Sequence, residues 1–304
     1  MRKLVSFLIL IFLFSLLLPS ISSEISLRAS TDRLNVIVTI PPQAFLVESI
    51  AGKRAEVTSM VPEDGSPHSS SLTPGELKNI RKAEVYFRVG TPLPFEENNL
   101  PVFREENQKM IVIDTSQSVE LKALDEHYGE PAANGSGGET KAVDNHIWLS
   151  PANLKKMAEN VFQGLSRLDP SGKKYYEKKY NSLLEKISTA RHELEMILGG
   201  FAGRSFIVYH PAWGYFGDEF KLHQVAVQER GDKPGPGRVR EIAVFARDRG
   251  IRTIIASAQF SPSTAQMVAS TFGGSVAEIN PLERNILDEL LELAQAISNG
   301  YRES

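Results

Sequence analysis

Strands and helices alternate twice along this chain, once on each side of a long helical stretch. In the first half, β-rich runs lie at 34–40, 55–61, 84–90 and 109–114, with helical segments at 41–51 and 73–83. In the second half, strand patterns lie at 205–210, 225–228, 253–256 and 275–279, each followed by a loop or a helical segment. Strands separated by helices pair in parallel. The alternation therefore predicts an α/β fold with two lobes built on mainly parallel sheets.

Residues 173–198 contain neither Gly nor Pro and form the longest helical pattern. Apolar residues recur there at spacings of three and four, and such a helix would be about 40 Å long at ~1.5 Å per residue. The apolar stripe could form a coiled-coil dimer, but it spans too few heptads for one. We therefore expect a helix that packs against the core of a monomer, with His192 exposed to solvent. The predicted organisation is an N-terminal lobe at 32–170, a linking helix at 171–200 and a C-terminal lobe at 201–304.

The N-terminus has the layout of a secretory signal peptide at 1–23. Arg2 and Lys3 precede an apolar run that ends before Pro19, and small residues follow. An uncleaved N-terminal anchor is the alternative. The chain has 0 Cys, which excludes disulfides, thiolate ligands and a Cys-linked lipid. We expect an exported protein, periplasmic or otherwise extracytoplasmic.

The net charge of −3 offers no basic surplus, so nucleic acid is not an expected partner. The stretch 122–145 is rich in Gly, Ala and acids, contains His127, and is predicted to be a long flexible loop whose role the sequence leaves open.

Three of the 6 His lie where an apolar run meets a turn: His68, His146 and His210. Neutral imidazole is a common metal ligand, and a zinc site needs three or four ligands from distant parts of a fold. Ligands of α/β sheets bind at the carboxyl ends of strands, where His68 and His210 are predicted to lie. We predict a metal site in the cleft between the lobes.

The motifs around these residues carry a resemblance. Pro67-His68, the segment 145–151 (Asn-His-Ile-Trp-Leu-Ser-Pro), the segment 210–216 (His-Pro-Ala-Trp-Gly-Tyr-Phe), Gln259-Phe260-Ser261 and Pro281-Leu282 occur in this order. In this respect the chain, from about Asn35 to Asn299, resembles the metal-binding solute receptors of ABC importers, the ZnuA/TroA-like family for zinc and manganese. The resemblance implies two lobes rigidly joined by a backbone helix, a metal ion in the cleft and delivery to a membrane permease.

The chain departs from that family at the expected fourth, acidic ligand, where it has Asn280. Three imidazoles favour Zn²⁺, whereas Mn²⁺ prefers more oxygen ligands. The fourth ligand remains open among the following: water, Asn280, Glu278, Glu229, Asp64 and His127.

Two functions other than a transport receptor are compatible with three histidines on this scaffold. Three His with an open position also describe catalytic zinc, as in a metal-dependent hydrolase, but the chain has no His-Glu-x-x-His or Gly-x-Ser-x-Gly motif. A surface adhesion protein on the same scaffold is the third possibility. We expect no enzyme activity.

Overall fold

Two parallel four-stranded sheets form the framework of the computed structural model, which describes residues 33–68, 71–124, 143–228, 232–257, 259–260 and 262–302. The first has the order β2-β1-β3-β4, with strands β1 Leu34–Val38, β2 Ala55–Ser59, β3 Val85–Arg88 and β4 Ile111–Asp114. The second has the order β6-β5-β7-β8, with strands β5 Ser205–Val208, β6 His223–Ala226, β7 Thr253–Ala256 and β8 Ser275–Glu278. Every pair of neighbouring strands is parallel. The predicted α/β fold with two sheets is confirmed.

Nine helices pack around these sheets in the described part of the chain: α1 Pro41–Ala51, α2 Pro74–Lys82, α3 Pro94–Glu106, α4 Pro151–Leu168, α5 Lys173–Leu198, α6 Gly214–Glu219, α7 Pro236–Arg249, α8 Pro262–Ser270 and α9 Ile286–Arg302. Proline occupies the first turn of several of them, where its missing N–H costs nothing. At α2, Thr73 and Glu76 form the reciprocal side-chain bonds of a capping box.

Helix α5 is the predicted 26-residue linking helix. Its apolar stripe faces the protein core, with Tyr176, Leu183, Ile187, Ala190 and Leu194 buried, and it packs against α1, α4 and α9. The His192 side chain, off this stripe, is 74% exposed, as predicted. The apolar stripe is therefore buried within this chain.

The structure differs from the sequence-based prediction in one helix and at the ends of several strands. Helix α3 was not predicted, and Pro101 lies inside it, where proline removes a helical hydrogen bond. Strand β6 begins two residues earlier than the extended run at 225–228. Strand β5 ends at Val208, so His210 lies two residues beyond the strand rather than at its end.

The predicted signal peptide 1–23 and most of the predicted loop 122–145 lie outside the described residues. Among the helices that the structure describes, none combines the length and the apolar character needed to cross a bilayer. The lobe boundaries at 32–170, 171–200 and 201–304 stay a prediction.

Candidate metal centre

The structure brings the three predicted histidines together. One ring nitrogen from each of His68, His146 and His210 lies within 4.8 Å of the others. Their ring centroids are 5.4–5.9 Å apart, with the rings edge-on to one another. Of the described residues, these three make up the one group of His, Cys, Asp or Glu side chains with the spacing of a metal site.

His68 reaches this point on the loop that follows β2. The backbone continues in register past the strand, since Val61 N donates to Thr39 O at 2.9 Å. Pro67 O then accepts from Phe95 N at the start of α3 at 3.0 Å. The loop is thus fixed immediately before the histidine.

His146 is held by the residue two positions before it. Asp144 Oδ1 accepts hydrogen bonds from the backbone N of His146 at 3.0 Å and from its ring Nδ1 at 2.9 Å. Both residues are buried. A bond at Nδ1 fixes the tautomer and turns Nε2 away from the carboxylate, the arrangement typical of metal-binding His.

Trp148, next to this histidine, is fully buried and its indole donates to Pro281 O of the second lobe at 2.7 Å. Tyr215 also joins the two halves: Lys122 N donates to its hydroxyl and the hydroxyl donates to Asp144 O, both at 3.2 Å. Trp148, Trp213 and Tyr215 are all buried in the core of the protein.

His210 follows β5 and is oriented from the neighbouring strand. Its Nδ1 donates to Oε1 of buried Gln228 at 2.9 Å, just after β6. Phe260 stacks on its ring, with centroids 4.8 Å apart. Its Nε2 is buried and has no hydrogen-bond partner within the described structure. A buried nitrogen with a free lone pair is suited to bind a metal ion.

The surroundings favour the neutral, metal-binding form of these rings. Desolvation, and secondarily the neighbouring His146, lowers the pKa of His68 to about 4. Although His68 is exposed as a residue, its ring faces the other two imidazoles. Desolvation is also the main reason why the pKa of His210 is lowered to about 3, and the neighbouring His146 lowers it further. Two ligand candidates therefore keep free lone pairs well below neutral pH.

A small cavity of about 20 Å³ lies between the three rings. Its other lining residues come from both lobes: Ser66, Pro67, Trp148, Gln259, Phe260, Pro281 and Leu282. About 10–15 Å³ is the least space that holds one water molecule. The cavity thus has the size of a single ion and not of an organic substrate.

The residues that the sequence offered as a fourth ligand are found in different places. Asp64 and Glu278 are exposed and do not join the histidine group, and Glu229 and His127 lie outside the described residues. The oxygen of Asn280 is occupied, since it accepts from Gln259 Nε2 at 2.7 Å and from Leu282 N at 2.9 Å.

Sequence reasoning missed the partners of the histidines. Asp144 lies two positions before its histidine, so an Asp-x-His spacing could have indicated it. Gln228 lies just after β6, the neighbour of the strand that precedes His210, and only the strand order reveals that the two residues meet. Gln259 was noted as part of a motif but without a role.

Comparison with known proteins agrees with this geometry. The model of a family described as the periplasmic component A of the zinc-uptake complex matches residues 36–298. A high-affinity zinc uptake system protein of Bacillus subtilis is 23% identical over 268 residues, which cover 86% of this chain and 82% of the relative. A crystal structure of ZnuA has 28% identity and a TM-score of 0.80, covering 89% of this chain and 100% of that one.

A laminin-binding adhesin of Streptococcus agalactiae shares the fold at 21% identity, with a TM-score of 0.73 and coverage of 87% and 99%. The family match extends over nearly all described residues and includes all three histidines. The chain therefore belongs to the family of periplasmic zinc-uptake component A, the metal-binding solute receptors of ABC importers.

Proposed function

We propose that this chain is an extracytoplasmic solute-binding protein that captures a divalent metal ion, zinc or alternatively manganese, and delivers it to an ABC permease. The proposal rests on the convergence of three imidazoles at a one-ion cavity, where the buried Nε2 of His210 has no partner in the described structure. The metal ligands would be His68, His146 and His210, and the metal would be the cargo rather than a resident cofactor.

Zinc is the preferred cargo because the ligand set is rich in nitrogen. Imidazole suits Zn²⁺, whereas Mn²⁺ prefers carboxylate and carbonyl oxygen. Within the described residues, no carboxylate joins the three rings. The names of the relatives, a high-affinity zinc uptake protein among them, support the same choice.

The site favours binding over catalysis. Asp144 is the carboxylate nearest to a histidine, but its Oδ1 already accepts two hydrogen bonds from His146. A hydrolase would need a free general base beside a metal-bound water and room for a substrate, and a cavity of about 20 Å³ gives no such room. We therefore propose a receptor without turnover, acting as a monomer outside the cytoplasm with a membrane permease as its partner.

Metal analysis of protein purified without a His-tag tests the proposal. The wild type should retain about one zinc ion per chain after dialysis against excess zinc, and His210→Ala should lose it. His192→Ala is the matched control, because its side chain is exposed on α5 and its removal should leave the stoichiometry unchanged. Equal zinc content in the wild type and in His210→Ala would refute the site.

A further inference from the structure

Gln259, in the turn after β7, has one end of its side-chain amide fully bonded and the other free. Its Nε2 donates to the backbone oxygen of Glu63 at 2.7 Å and to Asn280 Oδ1 at 2.7 Å. Its Oε1 is buried and, as far as the structure describes the chain, accepts no hydrogen bond. A buried carbonyl oxygen without a partner is uncommon and needs an explanation.

The orientation of this amide is fixed by its neighbours. Leu282 N–H can only donate, and it donates to Asn280 at 2.9 Å, so the oxygen of Asn280 must face it. The oxygens of Asn280 and Glu63 can only accept, so the atom of Gln259 that contacts both must be its nitrogen. Turning the Gln259 amide over would place its oxygen against two acceptors. Oε1 must therefore point away from Asn280 and Glu63.

Gln259 also lines the cavity between the three histidines. The cavity has a volume of about 20 Å³. One water molecule needs at least ~10–15 Å³, so the cavity holds one water molecule or an ion of similar size. An ion bound by the three imidazoles would fill most of this volume. Oε1 of Gln259, buried and without a hydrogen-bond partner in the described structure, would then be positioned to contact the ion.

We propose that Gln259 Oε1 is the fourth ligand of the metal ion and that Asn280 acts as a positioning residue that orients it. This inference rests on the proposed function. It gives a closed site with three nitrogens and one oxygen, the four-coordinate geometry that zinc adopts when no position is left open. It also gives the buried oxygen its partner. The ligand comes from the second lobe, and its Nε2 holds the His68 loop of the first lobe through Glu63.

Co²⁺ in place of zinc tests the ligand, because its visible absorption reports the ligand set. Gln259→Met keeps the length of the side chain but removes the oxygen. At saturating Co²⁺ its spectrum should differ from that of the wild type, and its zinc affinity should fall at least about tenfold in competition with a chelating dye.

Gln163→Met, the same change at an exposed position of α4, is the matched control and should leave the Co²⁺ spectrum as it is in the wild type. A spectrum of Gln259→Met at saturating Co²⁺ that is identical to that of the wild type would overturn the assignment. A wild type that binds neither Co²⁺ nor zinc would instead refute the proposed function itself.

A crystal structure of the zinc-loaded wild type decides the matter if Gln259→Met fails to fold. Oε1 should lie at a bonding distance of about 2.0–2.2 Å from zinc. A water molecule or another side chain in the fourth position would overturn the proposal.

Discussion

Replacing Asp144 by Asn should weaken zinc binding without moving a proposed ligand. The carboxylate is 1% exposed and Oδ1 accepts both hydrogen bonds from His146. Asn has the same shape and its oxygen can accept the same two bonds. The substitution therefore removes mainly the negative charge that makes the imidazole a stronger ligand.

The size of the effect can be bounded. The hydrogen bond is 2.9 Å long, and with the ring and a metal–nitrogen bond of ~2 Å in line the carboxylate would lie about 6–7 Å from the ion. At an effective dielectric constant of ~20, a single negative charge at that distance attracts a divalent ion by at most ~5 kcal/mol. Lys122 reduces this, because its ammonium lies beside the same Gly214 as Asp144 Oδ2. We expect a 10–100-fold loss of affinity, or ~1.4–2.7 kcal/mol, the usual effect of removing such a partner.

Competition with a zinc-binding dye at neutral pH measures this loss. Asp248→Asn, an exposed change of the same charge on α7, is the control and should bind zinc as the wild type does. Urea unfolding of the metal-free variants shows whether the fold is intact. Zinc affinity of Asp144→Asn within twofold of the wild type would refute the role of Asp144, and with it the orientation assigned to His146.

Three further outcomes are expected. Without metal, the free energy of unfolding should decrease as the pH falls from ~6.5, because the unfolded chain takes up protons on histidine first, and the folded-state pKa values are about 4 for His68 and about 3 for His210. Urea titrations across this pH range measure how steeply the free energy of unfolding depends on pH. This dependence should be weaker in a variant with Gln at both positions. Trp148→Phe should lower that free energy by ~1–3 kcal/mol, since Pro281 O loses its buried donor; an unchanged urea midpoint would contradict this. Asp169, 6% exposed, has its pKa lowered to about 2 by hydrogen bonds that outweigh desolvation. Asp169→Asn should therefore cost ~2 kcal/mol above pH ~4, and the difference from the wild type should disappear as the pH falls through about 2.

The elements of the fold were largely predictable because their signals are local. The stripe of α5 and the alternation of strands and helices follow from which side chains must leave water, and the structure confirms both. Helix α3 was missed because Pro101, which disfavours a helix locally, lies inside it. Packing against the first lobe, with Phe95 and Phe103 buried there, outweighs that cost.

The sequence also determined which side chains could bind a metal, since the three histidines and their motifs are visible without any structure. Their hydrogen-bond partners were decided by the tertiary fold. Gln228 and His210 are 18 residues apart and meet because β5 and β6 are neighbours in a parallel sheet. Gln259 meets Glu63 across 196 residues. Parallel sheets collect the loops at the carboxyl ends of their strands, so the lone pairs left free for an ion depend on packing between segments far apart in the chain.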